Sequence, residues 1–207
     1  MTKDAFLSRL TRNQTGKIPP RPPLSRVPMP APLTVTERTS LFVTRATAAL
    51  STVHTCSSSE DVRKTLASII GTSSYVDSGI GKPWDTLLQH TEGSRLDVAE
   101  AQHADIGLSL ASIGVALTGS CALASNQHRG SMLLPPRHII IVDSATIVDT
   151  LDDAYAWVAE QLRSGCPSAI AFHTGPSRSA DIEQTMALGV HGPGTVDVIL
   201  IAYADGL

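Results

Sequence analysis

The chain has 207 residues, 42% of them hydrophobic and 4% aromatic, with a formal net charge of -3. That length fits one domain with a small appendage, and its core must be built mainly from Ala, Val, Ile and Leu. The negative balance, with no basic run against it, argues against a nucleic-acid binder driven by phosphate contacts.

Residues 3–12 read as a short helix with Phe6, Leu7 and Leu10 on one side. Residues 18–32 hold seven of the thirteen prolines, and proline fixes φ and removes a donor, so this stretch is an extended arm. The chain thus divides into a helix and proline-rich arm over 1–33 and an α/β domain over 34–207. Thr36 is placed to cap a helix running to residue 51. Val53–Cys56 reads as a strand. The serines 57–59 before Glu60 and Asp61 open a helix that Gly71 stops. Ser74–Asp77 is the next strand, and Pro83 suits the first turn of a helix reaching residue 89 or 90.

Small and apolar residues fill 104–125, with Gly107, Gly114 and Gly119 interspersed. Glycine is costly inside a helix, so strands joined by tight turns are expected, with Thr118-Gly119-Ser120 turning an antiparallel hairpin. His138–Val142 is a continuous β-branched strand. Residues 150–162 form an amphipathic helix, with Leu151, Ala154, Tyr155, Val158 and Leu162 facing inward. Ala169–Phe172 reads as a strand, residues 179–188 as a helix stopped by Gly189, and Val196–Ala202 as the last strand. This alternation implies a three-layer α/β/α domain with a largely parallel sheet.

Parallel sheets bind ligands beyond the carboxyl ends of their strands, against helix N-termini. The segment His173–Ser179 (HTGPSRS) is expected at such a place. Gly175 permits close backbone approach, while Ser177 and Ser179 offer hydroxyls and cap the helix, and Asp181 and Gly192 are counted with them among the ligand-binding residues. Arg178 adds a forked cation matched to a carboxylate or phosphate, and free helix N–H groups complete an anion cradle. His191 and Gly192, in the loop before the last strand, make His191 the one candidate for a general acid–base. Arg129 and Ser131 offer a second anion contact. A metal site from His128, His173 and His191 is conceivable, but no HxxxH or HxH spacing calls for it, and no bound metal is expected.

Cys56, Cys121 and Cys166 form no CxxC pair and are odd in number, which fits a reduced, cytoplasmic setting. Cys121 lies in an apolar stretch, where a thiol is inert. The N-terminus shows no secretory pattern, and no stretch approaches the length needed to span a bilayer.

The string TGPSRSADIEQTMALGVHGPGTVDVIL (174–200), with LASIGVALTGSCALAS (110–125) and RGSMLLPPRHIIIV (129–142), resembles the lactate-utilisation protein C family, or LUD domain. The resemblance implies a fold of the NagB/RpiA/CoA-transferase-like group. It further implies an accessory role beside two iron–sulfur partner proteins that oxidise L-lactate to pyruvate. With three cysteines the chain lacks the thiolates for such a cluster, so the clusters are expected in the partners and no cofactor on this chain. The family commonly has Glu-Thr-Gly-Thr at the hairpin, where this chain has Leu117-Thr118-Gly119-Ser120. Leu117 cannot deliver a proton or form an acyl intermediate, so enzymatic activity of this chain is left open.

The leading expectation is therefore a cluster-free subunit of an iron–sulfur-dependent lactate oxidation system that binds a small carboxylate or an anionic cofactor. Gly175–Ser179 would hold it, with Thr118, Gly119, Ser120 and His191 approaching from neighbouring strand ends. Two alternatives stand beside it. One is a stand-alone enzyme acting on a phosphorylated sugar, CoA ester or folate; the other is a non-catalytic interaction module.

Overall fold

The computed structural model describes residues 2–12, 31–81, 84–125, 129–165, 167–180, 186–189 and 191–202. The chain divides into two compact units, 1–31 and 32–207. The described part of the first is chiefly α1 (Lys3–Arg12), where the Ala5 N–H donates to the Thr2 hydroxyl at the opening turn. The proline-rich arm up to residue 30 lies outside the described residues, as do His128, Cys166 and Asp181.

The second unit opens with α2 (Val35–Ala48), whose N-cap is Thr34 rather than the expected Thr36. The Thr34 hydroxyl accepts from the Glu37 N–H while the Glu37 carboxylate accepts from the Thr34 N–H. Thr36 has Thr39 three residues on and cannot build this reciprocal box. Then come β1 (Thr52–Cys56), α3 (Ser59–Ile70), β2 (Tyr75–Asp77) and α4 (Trp84–Leu88). Ser58 caps α3 and Gly71, at φ +53°, closes it, as its residue types imply. The glycine-rich stretch resolves into β3 (Ile106–Leu110), β4 (Ile113–Val115) and β5 (Ser120–Ser125), with β4 and β5 antiparallel about the expected turn. After them lie α5 (Gly130–Leu133), β6 (Arg137–Asp143), β7 (Ile147–Val148), α6 (Leu151–Ser164) and β8 (Ala169–His173). The last strands are β9 (Arg178–Ala180), β10 (Met186–Leu188) and β11 (Thr195–Ile201).

Five strands, in the order β1-β11-β6-β3-β2, form a sheet in which every pair is parallel. The central strand β6 shows why. Ile139 and Ile141 face one side, packed with Leu66 and Ile70 of α3 and Trp84 of α4. Ile140 and Val142 face the other, packed with Phe42 of α2 and Met132 of α5. A strand buried on both faces reads as a continuous apolar run, and each such side chain contributes roughly 1.5–3 kcal/mol. Helices on both faces give the three-layer α/β/α architecture.

On the α2 side a second sheet lies against the first, in the order β7-β4-β5-β8. Cys121 and Leu123 of β5 point toward the parallel sheet, and Ala122 points outward to Ala154 of α6. Here two expectations fail. Tyr155 and Leu162 do not face inward; both are exposed, while Trp157 packs beside Ala154. The sheet face under α6 is narrow and lined by Ile113, Val115 and Ala122, so only a narrow stripe of the helix is covered. Residues 179–188 also do not open as a helix: Arg178–Ala180 pairs antiparallel with Met186–Leu188. Apolar residues there recur both two apart and four apart, a pattern that a strand and a helix share over so short a span.

Among the described residues, no helix is long and apolar enough to cross a membrane.

Candidate functional site

The site is built where β8 ends. The strand belongs to the second sheet and runs antiparallel to β5, with His173 opposite Cys121. It is therefore not a strand of the parallel sheet, and the loop after it does not sit at that sheet's carboxyl ends. The loop before β11 confirms the position. Gly194 and Thr195 N–H both donate to the Pro136 carbonyl, just before β6 (2.8 and 3.3 Å). The site thus lies near the amino ends of β6 and β11.

Pairing of β5 with β8 sets the first polar group. Ser120 stands beside Thr174, their hydroxyls hydrogen-bonded at 2.6 Å, and Thr118 joins Ser120 at 2.7 Å. The Thr118-Gly119-Ser120 turn and the 174–177 loop therefore meet, as expected. Gly119 turns the hairpin as expected, and both glycines also make room for a helix. Gly119 and Gly175 have φ of +68° and +73°. A Cβ on Gly119 would lie 2.2 Å from the Ala46 nitrogen, and one on Gly175 would lie 1.9 Å from the Ala49 carbonyl oxygen. Both turns are seated on the backbone of the last turn of α2, so the space beside these Cα atoms is filled by the helix. A helix C-terminus carries partial negative charge and disfavours an anion on that side.

The expected cradle of free helix N–H groups is also absent from the described residues. Ser177 donates its N–H to the Pro193 carbonyl (2.8 Å) and accepts from the Gly189 N–H (2.9 Å). Its backbone is used to fold the 189–194 loop against it, and Arg178 begins a strand. Arg178 is exposed and, among the described residues, takes part in no ion pair. Ser179 continues β9 opposite Ala187.

What remains is a cavity of about 320 Å³ in front of these loops. Its wall includes His173, Thr174, Gly175, Ser177, His191, Gly192 and Pro193, with Leu133 of α5 opposite. Of the expected residues, Gly175, Ser177, His191 and Gly192 line it. Ser120 and Thr118 stand one and two hydrogen bonds behind Thr174, and Arg178 is outside the wall. The described wall carries two imidazoles and two side-chain hydroxyls but no carboxylate. It offers hydrogen-bonding groups to a guest with oxygen atoms.

Two features escaped the sequence reading. His138 is fully buried on β6, between the two sheets, with its ring edge-on to His173 at a centroid distance of 5.2 Å. Its Nε2 is bonded to the Ser109 hydroxyl at 2.9 Å, while Nδ1 has no partner among the described residues. Burial, with a smaller contribution from His173, pushes the His138 pKa down to about 3 from an ordinary 6.5. Burial lowers His173 as well. Both imidazoles are neutral at pH 7. The available signal was a histidine at an inward position of an otherwise apolar strand, which read only as the start of that strand. The second feature is the burial of Ser131, a residue expected to contact an anion. Its hydroxyl is unpartnered, and its carbonyl fills the place of a Cβ on Gly107, while Arg129 beside it is exposed. Cys121, behind the site, is buried and its thiol is pushed up to about 12, so it is inert.

Two further ion clusters belong to the parallel sheet. Asp197, almost fully buried, is held by Arg137 (2.7 Å) and His54 (3.0 Å). Asp77 is held by Arg95 at 2.6 Å. Among the described residues, no group of three His, Cys, Asp or Glu is placed to hold a metal ion.

Fold and site together define an α/β protein with a parallel five-stranded sheet, an attached mixed sheet and a histidine-lined cavity at their junction. The family profile described as "LUD domain" matches residues 92–201, more than half of the chain, and the chain belongs to that family. It is 35% identical over 121 residues to a lactate utilization protein C of Geobacillus sp. (strain WCH70), covering 56% of this chain and 50% of that protein. It is 38% identical over 127 residues to one of Halalkalibacterium halodurans, covering 59% and 53%. The chain spans about half the length of these curated relatives. A crystal structure of a DUF162 family protein from Deinococcus radiodurans superposes with a TM-score of 0.62 at 26% identity, covering 83% of this chain and all of that one.

Proposed function

We propose that this chain is a cytoplasmic, cluster-free component of an iron–sulfur-dependent L-lactate oxidation system. It binds a small carboxylate in the cavity bounded by His173, Ser177 and His191. The reading rests first on the cavity wall, which offers two imidazoles and two hydroxyls with no carboxylate among its described residues to repel an anion. The names of the relatives supply the metabolic context. Cys56 and Cys121 are buried in cores on opposite faces of the parallel sheet, and a cluster takes four thiolates from a chain that has three. In this reading, electrons from the substrate leave through partner proteins.

The carboxylate is held by the Ser177 hydroxyl and His191, with His173 on the neighbouring oxygen. Arg178 lies outside the wall and contributes attraction on approach rather than a contact. The test is removal of the chain from cells grown on L-lactate, together with affinity capture of its tagged form. The account expects slowed growth on lactate and recovery of iron–sulfur proteins with the bait. Normal growth with no cluster-bearing partner would contradict it. Thermal stabilisation by sugar phosphates or CoA, and none by hydroxy acids, would favour a stand-alone enzyme.

A further inference from the structure

His138 is a costly residue where it stands. It is 0% exposed, among Ile140, Val142 and the other inward residues of the sheet, and one ring nitrogen is unpartnered. An apolar side chain there would avoid that penalty, so a buried polar group left unsatisfied calls for an explanation. The tautomer follows from the hydrogen-bond count. A buried N–H without an acceptor costs more than a bare lone pair. The Nε2 of His138 therefore carries the proton and donates to the Ser109 hydroxyl, and Nδ1 is a bare acceptor. The neighbouring ring that can meet it is His173, with centroids 5.2 Å apart. Two imidazoles that share one N–H···N bond have centroids about 5 Å apart, so the His173 ring lies within reach of that acceptor.

The geometry points to His138 as the positioning residue for His173, fixing its tautomer so that the cavity presents a lone pair and selects a 2-hydroxy carboxylate over the matching 2-oxo carboxylate. The inference rests on the small-carboxylate reading of the cavity and adds the residue that sets its selectivity. When the His173 nitrogen nearer His138 keeps its hydrogen, the other nitrogen, toward the cavity, is an acceptor. The hydrogen bond that one ring nitrogen makes sets the state of the other. An acceptor needs a donor on the guest. The 2-hydroxyl group of a hydroxy acid supplies one; the 2-oxo group of its oxidised form is itself an acceptor and meets a lone pair with a lone pair. Ser177 and His191 at the outer wall hold the carboxylate common to both, so discrimination falls on His173. A neutral imidazole behind His173, where catalytic triads place a carboxylate, orients the ring without making it a strong base.

The experiment is a nitrogen-15 NMR spectrum of the imidazoles in the full chain at pH 7, alone and titrated with L-lactate and with pyruvate. The expected result is a single His173 tautomer in the unliganded protein and L-lactate bound about tenfold more tightly than pyruvate, the worth of one hydrogen bond. In His138→Phe the His173 tautomers mix and the preference falls toward unity while binding persists. His138→Asn, whose side-chain oxygen restores an acceptor, recovers the preference. Ser109→Ala is a milder change that frees the His138 ring and lowers the preference should the Phe variant not fold. Mixed tautomers in the unaltered protein, or a preference unchanged in His138→Phe and Ser109→Ala, would overturn the inference. A fixed tautomer that His138→Phe releases, with neither acid binding, would instead overturn the small-carboxylate reading and the claimed selectivity, while the positioning role of His138 stands.

Discussion

Gly175 looks in the sequence like a glycine that lets a ligand approach the backbone, and Gly119 like a hairpin turn. In the structure the group that approaches is α2. Each residue has positive φ, and an added methyl group would overlap helix backbone rather than a movable side chain. Replacing Gly175 with Ala should therefore cost roughly 2–4 kcal/mol, more than the usual glycine penalty, because both strain and overlap apply. Urea denaturation measures it; a loss under about 0.5 kcal/mol would show that the loop does not rest on α2. At this scale the sequence was legible where a residue type has one use. Ser58 and Gly71 cap α3 as their types imply. It was not legible where a residue has several. The loop glycines mark turns whatever lies beside them, and only the packing of α2 distinguishes a helix from a ligand there. His138 was overlooked because a run of β-branched neighbours dominates its window.

Among the elements, the strands of the parallel sheet were readable because burial on both faces leaves a continuous apolar run, as in His138–Val142 and Val196–Ile201. Assignment of strands to sheets was not. Ala169–His173 is apolar enough to belong to the parallel sheet, yet its pairing with β5 places it in the second one. That partnership is a long-range choice that periodicity does not encode. The misreading of 179–188 followed from the same ambiguity, and it mattered more, since the anion cradle borrowed its N–H groups from that helix. Ser177 and His191 line one cavity, whose other polar groups include an imidazole and a hydroxyl rather than helix amides.

For the whole molecule, buried His138 and half-buried His173 couple stability to pH. The folded-state pKa of His138, about 3, lies below its ordinary 6.5, so the unfolded chain binds the extra proton between those values. Its contribution is complete above pH 6.5 and is lost as pH falls toward 3. At pH 5 the loss from His138 alone is about 2 kcal/mol, and His173 shifts in the same direction. Asp61 and Asp105, held low by serine hydroxyls, add losses of the same sign at more acid pH. Unfolding free energies measured from pH 7.5 to pH 5 should fall accordingly, and His138→Leu should flatten the slope. A flat profile in the unaltered protein would mean that His138 is not held neutral by burial.

The central claim, that the cavity receives a small carboxylate, is tested most directly by a crystal structure of the chain grown with L-lactate. The account predicts the carboxylate between the Ser177 hydroxyl and His191, with the 2-hydroxyl group directed at His173. Lactate bound at Arg178 outside the wall, or an empty cavity at saturating lactate, would contradict it.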